Sequence, residues 1–207
     1  MTDRLPATTE GLAAAADILA GGGLVAFPTD TVYGLGCAVS RPQGIESIYA
    51  LKRRPAEKRV AILLGGLSDV DAEAWLVDGR ANALTERFWP GALSLVLPSR
   101  SEPHATQSFR VPNHQVALGL LATAGPMYVT SANISDEPDT LDADDVLIAF
   151  ATQPDGLAAV VDGGRVPGGT PSTVLDLSVT PARILRPGPV TRAMLADVVE
   201  LAPAPID

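Results

Sequence analysis

Short apolar runs alternate with longer amphipathic segments along this chain, and most runs end at a glycine, a proline or a small polar residue. Such runs predict buried strands, whereas apolar residues at every third or fourth position predict helices. The predicted strands cover residues 24–28, 60–64, 92–97, 108–111, 127–130, 158–161, 173–177 and 182–186. The predicted helices cover residues 9–20, 43–53, 68–77, 80–88, 114–124, 142–151 and 192–201. Because strict βαβ alternation is missing, we expect an α/β fold with a twisted, mixed open sheet and flanking helices.

The length and composition predict one globular domain that spans residues 1–207. Hydrophobic residues make up 46% of the chain and charged residues 19%, so a long disordered region is not expected. The sequence has no run of 18 apolar residues, and its first ten residues lack the basic-then-apolar pattern of a secretion signal. We therefore expect a soluble, cytoplasmic protein that has no membrane partner.

Several common catalytic and nucleotide-binding motifs are missing from the sequence. It has no GxxxxGK[ST] loop and no GxSxG motif, and Gly34-Leu35-Gly36 lacks the third glycine of a dinucleotide-binding loop. The single cysteine, Cys37, and the two histidines, His104 and His114, do not have the spacing of zinc ligands. No protein-bound metal is therefore predicted, and any ATP site must differ from a P-loop.

The predicted helix at 43–53 has a lysine on its apolar side. Helical spacing connects four positions of one stripe: Ile45, Ile48, Tyr49 and Lys52. A lysine on a buried stripe must reach a cleft or an anion, because an unpaired buried charge is costly. The other interpretation is that Lys52 and Arg54 form a solvated helix end that complements the helix dipole.

The charge of the chain is unevenly distributed. A net charge of −9 argues against broad electrostatic binding to nucleic acid, which requires a surface that neutralises phosphates. Five of the fifteen basic residues, including both lysines, nevertheless lie within eight positions: Lys52, Arg53, Arg54, Lys58 and Arg59. At the other extreme, residues 136–145 contain six carboxylates, which is typical of a solvated loop that leads into a helix.

A set of small polar and cationic residues lies at or just beyond the ends of the predicted strands and helices. The set contains hydroxyl, amide and cationic groups: Thr29, Thr31, Lys52, Arg54, Arg110, Ser131, Asn133, Ser172, Thr173 and Arg186. Because ligand sites of α/β sheets form at strand ends, the set predicts a site for a small anionic molecule. Arg110 is placed to hold a carboxylate in bidentate geometry. The segments 29–31 and 131–133 can also be interpreted as turns that satisfy their own backbone.

Six segments, in order, resemble the signature blocks of the YrdC/Sua5/YciO family. They are AFPTDTVYGLG (26–36), LKRRP (51–55), FRVP (109–112), TSAN (130–133), PSTVLDL (171–177) and ILRPG (184–188). The resemblance implies a short YrdC-like (DHBP synthase-like) domain with a positively lined central cavity and without the C-terminal extension of long Sua5 proteins. It also implies an L-threonylcarbamoyladenylate synthase, a nucleotidyltransferase that forms threonylcarbamoyl-AMP and pyrophosphate from L-threonine, bicarbonate (or CO2) and ATP.

The resemblance also implies roles for individual residues. The family's Lys-x-Arg and Ser-x-Asn pattern, which resembles a cradle for the ATP phosphates, falls on Lys52, Arg54, Ser131 and Asn133. Lys52 and Arg54 are the implied catalytic residues, and the further implied nucleotide contacts are Thr106 and Arg186. The positions that match contacts to L-threonine are Thr29, Arg110 and Ser172. ATP is implied as a substrate that carries Mg2+, with no tightly bound cofactor.

The implied product supplies N6-threonylcarbamoylation of adenosine 37 in tRNA, so tRNA or the downstream threonylcarbamoyl transferase complex are the implied further partners. Acidic residues at 136–139 would weaken ATP binding unless they point away from the phosphates or hold Mg2+. An alternative is a non-catalytic YciO-like paralogue that binds double-stranded RNA or tRNA through the basic residues at 52–59. A third is a carbamoyl-transfer module like those of hydrogenase maturation proteins, which belong to longer chains with zinc-binding and acylphosphatase-like segments.

Overall fold

The computed structural model describes residues 2–55, 57–153 and 156–203. Ten strands lie in these residues: β1 (Asp3–Pro6), β2 (Val25–Phe27), β3 (Gly34–Ala38), β4 (Ala61–Leu63), β5 (Leu93–Pro98), β6 (Thr106–Arg110), β7 (Met127–Ser131), β8 (Ala159–Asp162), β9 (Thr173–Asp176) and β10 (Arg183–Arg186). The six α-helices of the same residues are α1 (Thr9–Ala20), α2 (Gly44–Lys52), α3 (Gly79–Phe88), α4 (Gln115–Ala124), α5 (Ala143–Ala149) and α6 (Arg192–Ala196).

All ten strands belong to one sheet, in the order β1-β8-β2-β3-β7-β4-β6-β5-β9-β10. The pairs β1/β8, β2/β8, β4/β6 and β5/β9 are parallel, and the other five pairs are antiparallel. The predicted mixed, open α/β sheet with flanking helices is therefore confirmed.

Helices cover the two halves of the sheet differently. Helices α1 and α4 pack together on one face of the half that contains β2, β3 and β8, and α2 and α5 cover its other face. Helix α3, with Leu195 of α6, packs against the half that contains β4, β5, β6 and β9. The opposite face of that second half lines a cavity.

Two strands were not expected. Strand β3 lies where a loop was predicted, because its glycines weaken the sequence signal for a strand. The structure requires them: a Cβ on Gly34 would lie 2.9 Å from Val129 Cγ1, and one on Gly36 would lie 3.1 Å from the backbone oxygen of Tyr128. Strand β1 is short and polar, and it forms an edge of the sheet by pairing in parallel with β8.

The predicted helix at 68–77 is wrong. The carboxylate of Asp69 accepts the backbone N–H groups of Gly65 and Gly66, so the segment forms only a 3₁₀ turn at Leu67–Asp69. Asp71 then caps a second turn by accepting from the N–H groups at positions 73 and 74. Local side-chain hydrogen bonds therefore compete successfully with the helix.

The predicted helix at 192–201 is too long. Helix α6 ends at Ala196, where the oxygen of Leu195 accepts from the N–H groups of both Val198 and Val199. Beyond that turn, Leu201 forms an isolated bridge with Ala182. The chain end is thus extended beside the residue that precedes β10.

Candidate functional site

A cavity of about 630 Å³ lies over the face of the sheet that α3 leaves free. This volume is typical of sites for small molecules. Its walls come from the strands and from the loops that follow β2, α2 and β7. Of the nine residues to which the family resemblance gives roles, seven line the cavity: Thr29, Arg54, Thr106, Arg110, Ser131, Ser172 and Arg186. The predicted set also contained Thr31, which lines the cavity, and Thr173, which does not: Thr173 is buried and donates to the oxygen of Val190.

The strands under the cavity direct alternate side chains into it. In β5, Ser94 and Val96 line the cavity, whereas Leu93, Leu95 and Leu97 are buried in the core on the other face. Successive residues of a strand point to opposite faces, so one sequence supplies both surfaces. The same alternation gives the cavity-facing residues of β6 and β9: Thr106, Ser108, Arg110, Val174 and Asp176.

The cavity is positively charged although the chain is acidic. Two aspartates, Asp139 and Asp176, line it together with five arginines: Arg54, Arg59, Arg110, Arg183 and Arg186. A cleft lined mainly by one sign of charge attracts ions of the opposite sign. The cavity therefore suits an anionic ligand, as the sequence predicted.

Lys52 is buried at the end of α2, with 1% of its surface exposed. Its Nζ donates hydrogen bonds to the backbone oxygens of Ser131 (2.6 Å) and Asn133 and to the Asn133 side-chain oxygen Oδ1 (3.0 Å). These three acceptors match the three N–H groups of an ammonium ion. Burial and, to a lesser extent, the charge of Arg54 lower the pKa of Lys52 from 10.5 to about 7. The interpretation of Lys52 as a solvated helix end is wrong.

A turn at 131–133 connects Lys52 to the cavity. Ser131 lines the cavity, and its Oγ donates to Asn133 Oδ1 at 2.7 Å. The amide of Asn133 donates in turn to the backbone oxygen of Glu137 at 2.6 Å. The backbone groups of 131–133 bond to Tyr33 and Lys52, so the interpretation of this segment as a turn that satisfies its own backbone is wrong. Lys52 and Asn133, the remaining two predicted site residues, thus lie behind the cavity wall, each one hydrogen bond away from Ser131.

The basic segment after α2 folds toward the cavity. Arg54 donates to the backbone oxygens of Lys58 (2.8 Å) and Arg59 (2.9 Å), which ties its side chain to the residues just before β4. Arg59 donates to the backbone oxygen and to the hydroxyl of Thr106, at 2.7 and 3.0 Å. Lys58 forms an ion pair with Asp136 at 2.7 Å. Three of the five clustered cations are thus held by contacts beside the cavity.

Thr29 and Arg110 lie near each other at another part of the cavity wall. Thr29 Oγ1 donates to the oxygen of Val32 (2.7 Å) and accepts from the N–H of Thr31 (3.2 Å), which confirms the predicted turn. Arg110 is buried and donates to the Thr31 hydroxyl at 3.3 Å and to Asp30 Oδ1 at 2.6 Å. Hydroxyl and guanidinium donors therefore meet at this end.

Ser172 links the ends of three strands. Its buried hydroxyl lies 2.9 Å from the hydroxyl of Ser94, and Arg186 Nη2 donates to the backbone oxygen and hydroxyl of Ser172 at 2.8 and 3.2 Å. Burial lowers the pKa of Arg186, and the charges of Arg110 and Arg54 add to this effect. Arg110 and Arg54 thus repel the charge of Arg186, which favours binding of an anion beside it.

Most carboxylates of the acidic segment at 136–145 do not line the cavity. Ion pairs tie the segment to other parts of the chain: Asp136–Lys58, Asp142–Arg165 and Asp144–Arg4. Asp139 differs, because it lines the cavity. Its charge raises the pKa values of Lys52 and Arg186, against the larger lowering effect of burial. The prediction of a solvated segment that leads into a helix therefore holds for the carboxylates that form ion pairs, but not for Asp139.

Sequence reasoning did not single out several cavity residues: Ser94, Ser108, Asp176 and Arg183. Arg59 was noted only as part of the basic cluster. The available signal was the two-residue alternation in the strands, where polar side chains occupy one face and leucines the other. Thr106 was found through the family resemblance alone, since one threonine at a strand start carries no signal of its own.

No group of three or more His, Cys, Asp or Glu residues that could hold a metal ion occurs in the part of the chain that the structure describes. Within the same residues, no helix is both long enough and apolar enough to cross a bilayer.

The fold and the cavity define a class: an α/β protein with a positively charged cavity over a mixed sheet. Residues 17–188 match the Sua5_yciO_yrdC family model, which is described as "Telomere recombination". A Bacillus subtilis threonylcarbamoyl-AMP synthase is 34% identical and covers 96% of this chain, which spans 59% of that protein. One from Cellvibrio japonicus is 30% identical, covers 84% of this chain, and is matched over 93% of its own length.

A solved structure of Pyrococcus abyssi Sua5 in complex with L-threonine has 32% identity and a TM-score of 0.86. It covers 99% of this chain, which spans 63% of that structure. The chain therefore belongs to the Sua5/YciO/YrdC family.

Proposed function

We propose that this protein is an L-threonylcarbamoyladenylate synthase. It would join L-threonine, bicarbonate and ATP into threonylcarbamoyl-AMP and release pyrophosphate, which makes it a nucleotidyltransferase. The observation that carries the proposal is the assembly of seven predicted contact residues around one positively charged cavity. Relatives named threonylcarbamoyl-AMP synthase support the proposed product, and a related Sua5 structure bound to L-threonine supports threonine as a substrate.

The proposed threonine site lies at Thr29, Arg110 and Ser172. Arg110 is the partner for the carboxylate, because a guanidinium binds a carboxylate in bidentate geometry. Thr29 and Ser172 line the same cavity with hydroxyl oxygens that can accept from the ammonium group. Both hydroxyls are buried, so their positions are already fixed by the protein.

The proposed nucleotide site uses the cationic loop and the turn at 131–133. Arg54 and Arg186 supply charge for the phosphates, while Thr106 and Ser131 supply hydroxyl groups. Lys52 and Asn133 support Ser131 from behind the cavity wall. We retain Lys52 and Arg54 as the proposed catalytic pair, with Lys52 reaching the phosphates by a change of side-chain conformation or acting through Ser131.

The proposed reaction forms two bonds in sequence. Bicarbonate loses hydroxide to give CO2, and the deprotonated amine of threonine adds to its carbon. The nitrogen loses one proton to the hydroxide, so that a carbamate and water form. A carbamate oxygen then attacks the α-phosphorus of ATP, and the bond from this phosphorus to the bridging oxygen breaks, so that pyrophosphate leaves. Because no covalent enzyme intermediate is needed, the residues of this chain would act by positioning and by stabilising negative charge.

We propose that Mg2+ enters with the nucleotide. Mg2+ in nucleotide sites is usually held by phosphate oxygens, waters and one or two carboxylates. Asp139 fits as a carboxylate ligand, since it lines the cavity that also contains the arginines. The ion would supply charge neutralisation on the phosphates. Without it, the charge of Asp139 would oppose nucleotide binding.

We place the protein in the cytoplasm, where its product would serve tRNA modification directly or through a downstream transferase complex. The RNA-binding alternative needs the basic residues at 52–59 to face an RNA surface. Lys52 is buried and Arg54 and Arg59 line the cavity, so these cations serve the small-molecule site. The synthase names of the relatives also favour a catalytic function over RNA binding.

Pyrophosphate release tests the proposal. Purified protein should release pyrophosphate only when ATP, Mg2+, L-threonine and bicarbonate are all present, and D-threonine should not replace the L-isomer. Release that is independent of threonine would indicate a different nucleotide reaction. No release under any combination, from protein that is folded and binds ATP, would refute the proposed synthase.

A further inference from the structure

The guanidinium of Arg110 is held by two segments of the chain. One is the segment just before β5, and the other is the loop after β2. The Nε of Arg110 donates to the backbone oxygen of Gly91 at 2.9 Å, and its Nη2 donates to Asp30 Oδ1 at 2.6 Å. Gly91 is itself fixed, because its N–H donates to the oxygen of Val111 at 2.8 Å. Arg110 therefore has little freedom to rotate.

The pair of Asp30 and Arg110 is the least exposed ion pair among the described residues, with side-chain exposures of 15% and 8%. Arg110 lines the cavity, whereas Asp30 is not one of its lining residues. The carboxylate thus contacts the guanidinium from behind. A charge-assisted hydrogen bond of this length in a buried position fixes the orientation of a side chain strongly.

The hydrogen bonds of Arg110 within the protein leave some of its N–H groups available for a ligand. A guanidinium has five N–H groups. Nε uses one for Gly91, Nη1 uses one for the Thr31 hydroxyl, and Nη2 uses one for Asp30. One N–H remains on each of the two terminal nitrogens, and a bidentate carboxylate accepts two N–H groups.

We propose that Asp30 is a positioning residue that orients Arg110 toward the carboxylate of the amino-acid substrate. The inference rests on the proposed function and deepens it, because it names a residue that determines recognition of the α-carboxylate without contacting it. The α-carboxylate is common to all amino acids, so Asp30 governs whether an amino acid binds and not which side chain is preferred.

For the substitution Asp30→Asn, the positioning role and simple electrostatics predict opposite changes in the affinity for a carboxylate. The direction of the change therefore tests the proposal. Asp30→Asn removes a negative charge beside the site, so charge alone predicts tighter binding of a carboxylate. Positioning predicts weaker binding, because Arg110 loses its anchor and is left buried without its ionic partner. The two accounts therefore differ in direction and not only in size.

Titration calorimetry with L-threonine and with L-threoninamide, which lacks the carboxylate, tests the inference. For Asp30→Asn we expect affinity for L-threonine to fall by roughly 10- to 100-fold, which is the loss typical of metal sites when a partner that orients a ligating side chain is removed. Affinity for L-threoninamide should be the same in the variant and the wild type. In steady state, the KM for threonine should rise while the KM for ATP and kcat remain close to the wild-type values.

Two further variants keep the test decisive. Asp197→Asn makes the same change in an exposed ion pair with Arg87 and should leave threonine affinity unchanged. Asp30→Glu retains the charge and should recover part of the affinity that Asp30→Asn loses. Unchanged or tighter threonine binding by Asp30→Asn would overturn the inference, as would equal losses for threonine, threoninamide and ATP. Failure of the wild type to bind threonine would instead refute the proposed function.

Discussion

The Lys52 ammonium nitrogen lies 3.0 Å from the side-chain oxygen of Asn133, and that oxygen also accepts a hydrogen bond from Ser131. One amide oxygen thus joins the end of α2 to the turn after β7. Because Ser131 lines the cavity, this relationship couples a buried charge to the wall of the ligand site. Lys52 therefore has a structural role whether or not it also reaches a substrate.

The first prediction concerns the stability that Lys52 provides. Lys52→Met removes the donor for three oxygen atoms of residues 131 and 133. Leaving buried acceptors unsatisfied costs about 1–3 kcal/mol, so the free energy of unfolding should fall by an amount of this order. Urea unfolding measures it. Lys58→Met, which removes an exposed cation from the same segment, should cost at most about 0.5 kcal/mol.

The second prediction concerns pH. The pKa of Lys52 is lowered to about 7 in the folded protein from 10.5, so between these pH values the unfolded chain binds more protons. Taken alone, the titration of Lys52 makes stability rise with pH over this interval, because the gradient follows the excess of protons bound by the unfolded state. The contribution of Lys52 to the free energy of unfolding should thus increase from pH 7 to pH 10. Lys52→Met should lack this increment, and identical pH gradients for the two proteins would contradict the prediction.

The burial of Lys52 and the residues of the core could be predicted from the sequence, because both follow the periodicity of helices and strands. The stripe through Ile48 and Lys52 gave the burial of the lysine, and the apolar runs gave eight of the ten strands. Strand β3 could not be predicted, since the glycines that allow close approach to β7 are those that weaken a strand pattern. The failed helix at 68–77 depended on side-chain hydrogen bonds of Asp69 and Asp71, which compete locally with helix formation.

The site was predictable as a set of residue types but not as a geometry. Thr29, Arg110 and Ser172 stood out as polar residues at strand ends, and the structure brings them to one cavity. The sequence did not show that Asp30 anchors Arg110, because the contact joins residues 80 positions apart. Nor did it separate Asp139, which lines the cavity, from neighbouring carboxylates that form ion pairs elsewhere.

The third prediction concerns Asp139. Asp139→Asn removes a negative charge from the cavity, so ATP measured without Mg2+ should bind more tightly, by roughly 3- to 10-fold for a partly solvated charge. With Mg2+ present, the gain should shrink or reverse if the carboxylate contacts the ion. Titration calorimetry of both proteins with and without Mg2+ gives the four affinities. As a matched control, Asp144→Asn changes a carboxylate that pairs with Arg4 and should have no effect. Equal gains with and without Mg2+ would exclude Asp139 as a metal ligand.

The fourth prediction concerns Arg59, which lines the cavity and is anchored on Thr106. Arg59→Gln removes one cation from the proposed nucleotide site, and ATP affinity should fall by roughly 10-fold. Arg53→Gln removes an exposed cation from the same loop that does not line the cavity, so ATP affinity should be unchanged. Equilibrium binding of ATP measures both. Equal effects of the two substitutions would show that the segment acts only through its overall charge.

The most direct test of the account is mass spectrometry of the product formed from carbon-13 bicarbonate, L-threonine and ATP with Mg2+. We predict threonylcarbamoyl-AMP that carries the heavy carbon in its carbamoyl group, and loss of this product in Arg110→Gln and Lys52→Ala, with both variants checked for folding. AMP or threonyl adenylate as the only product would contradict the account, because neither contains a carbamoyl group. Threonylcarbamoyl-AMP without the heavy carbon would also contradict it, because the carbamoyl carbon would then not come from bicarbonate.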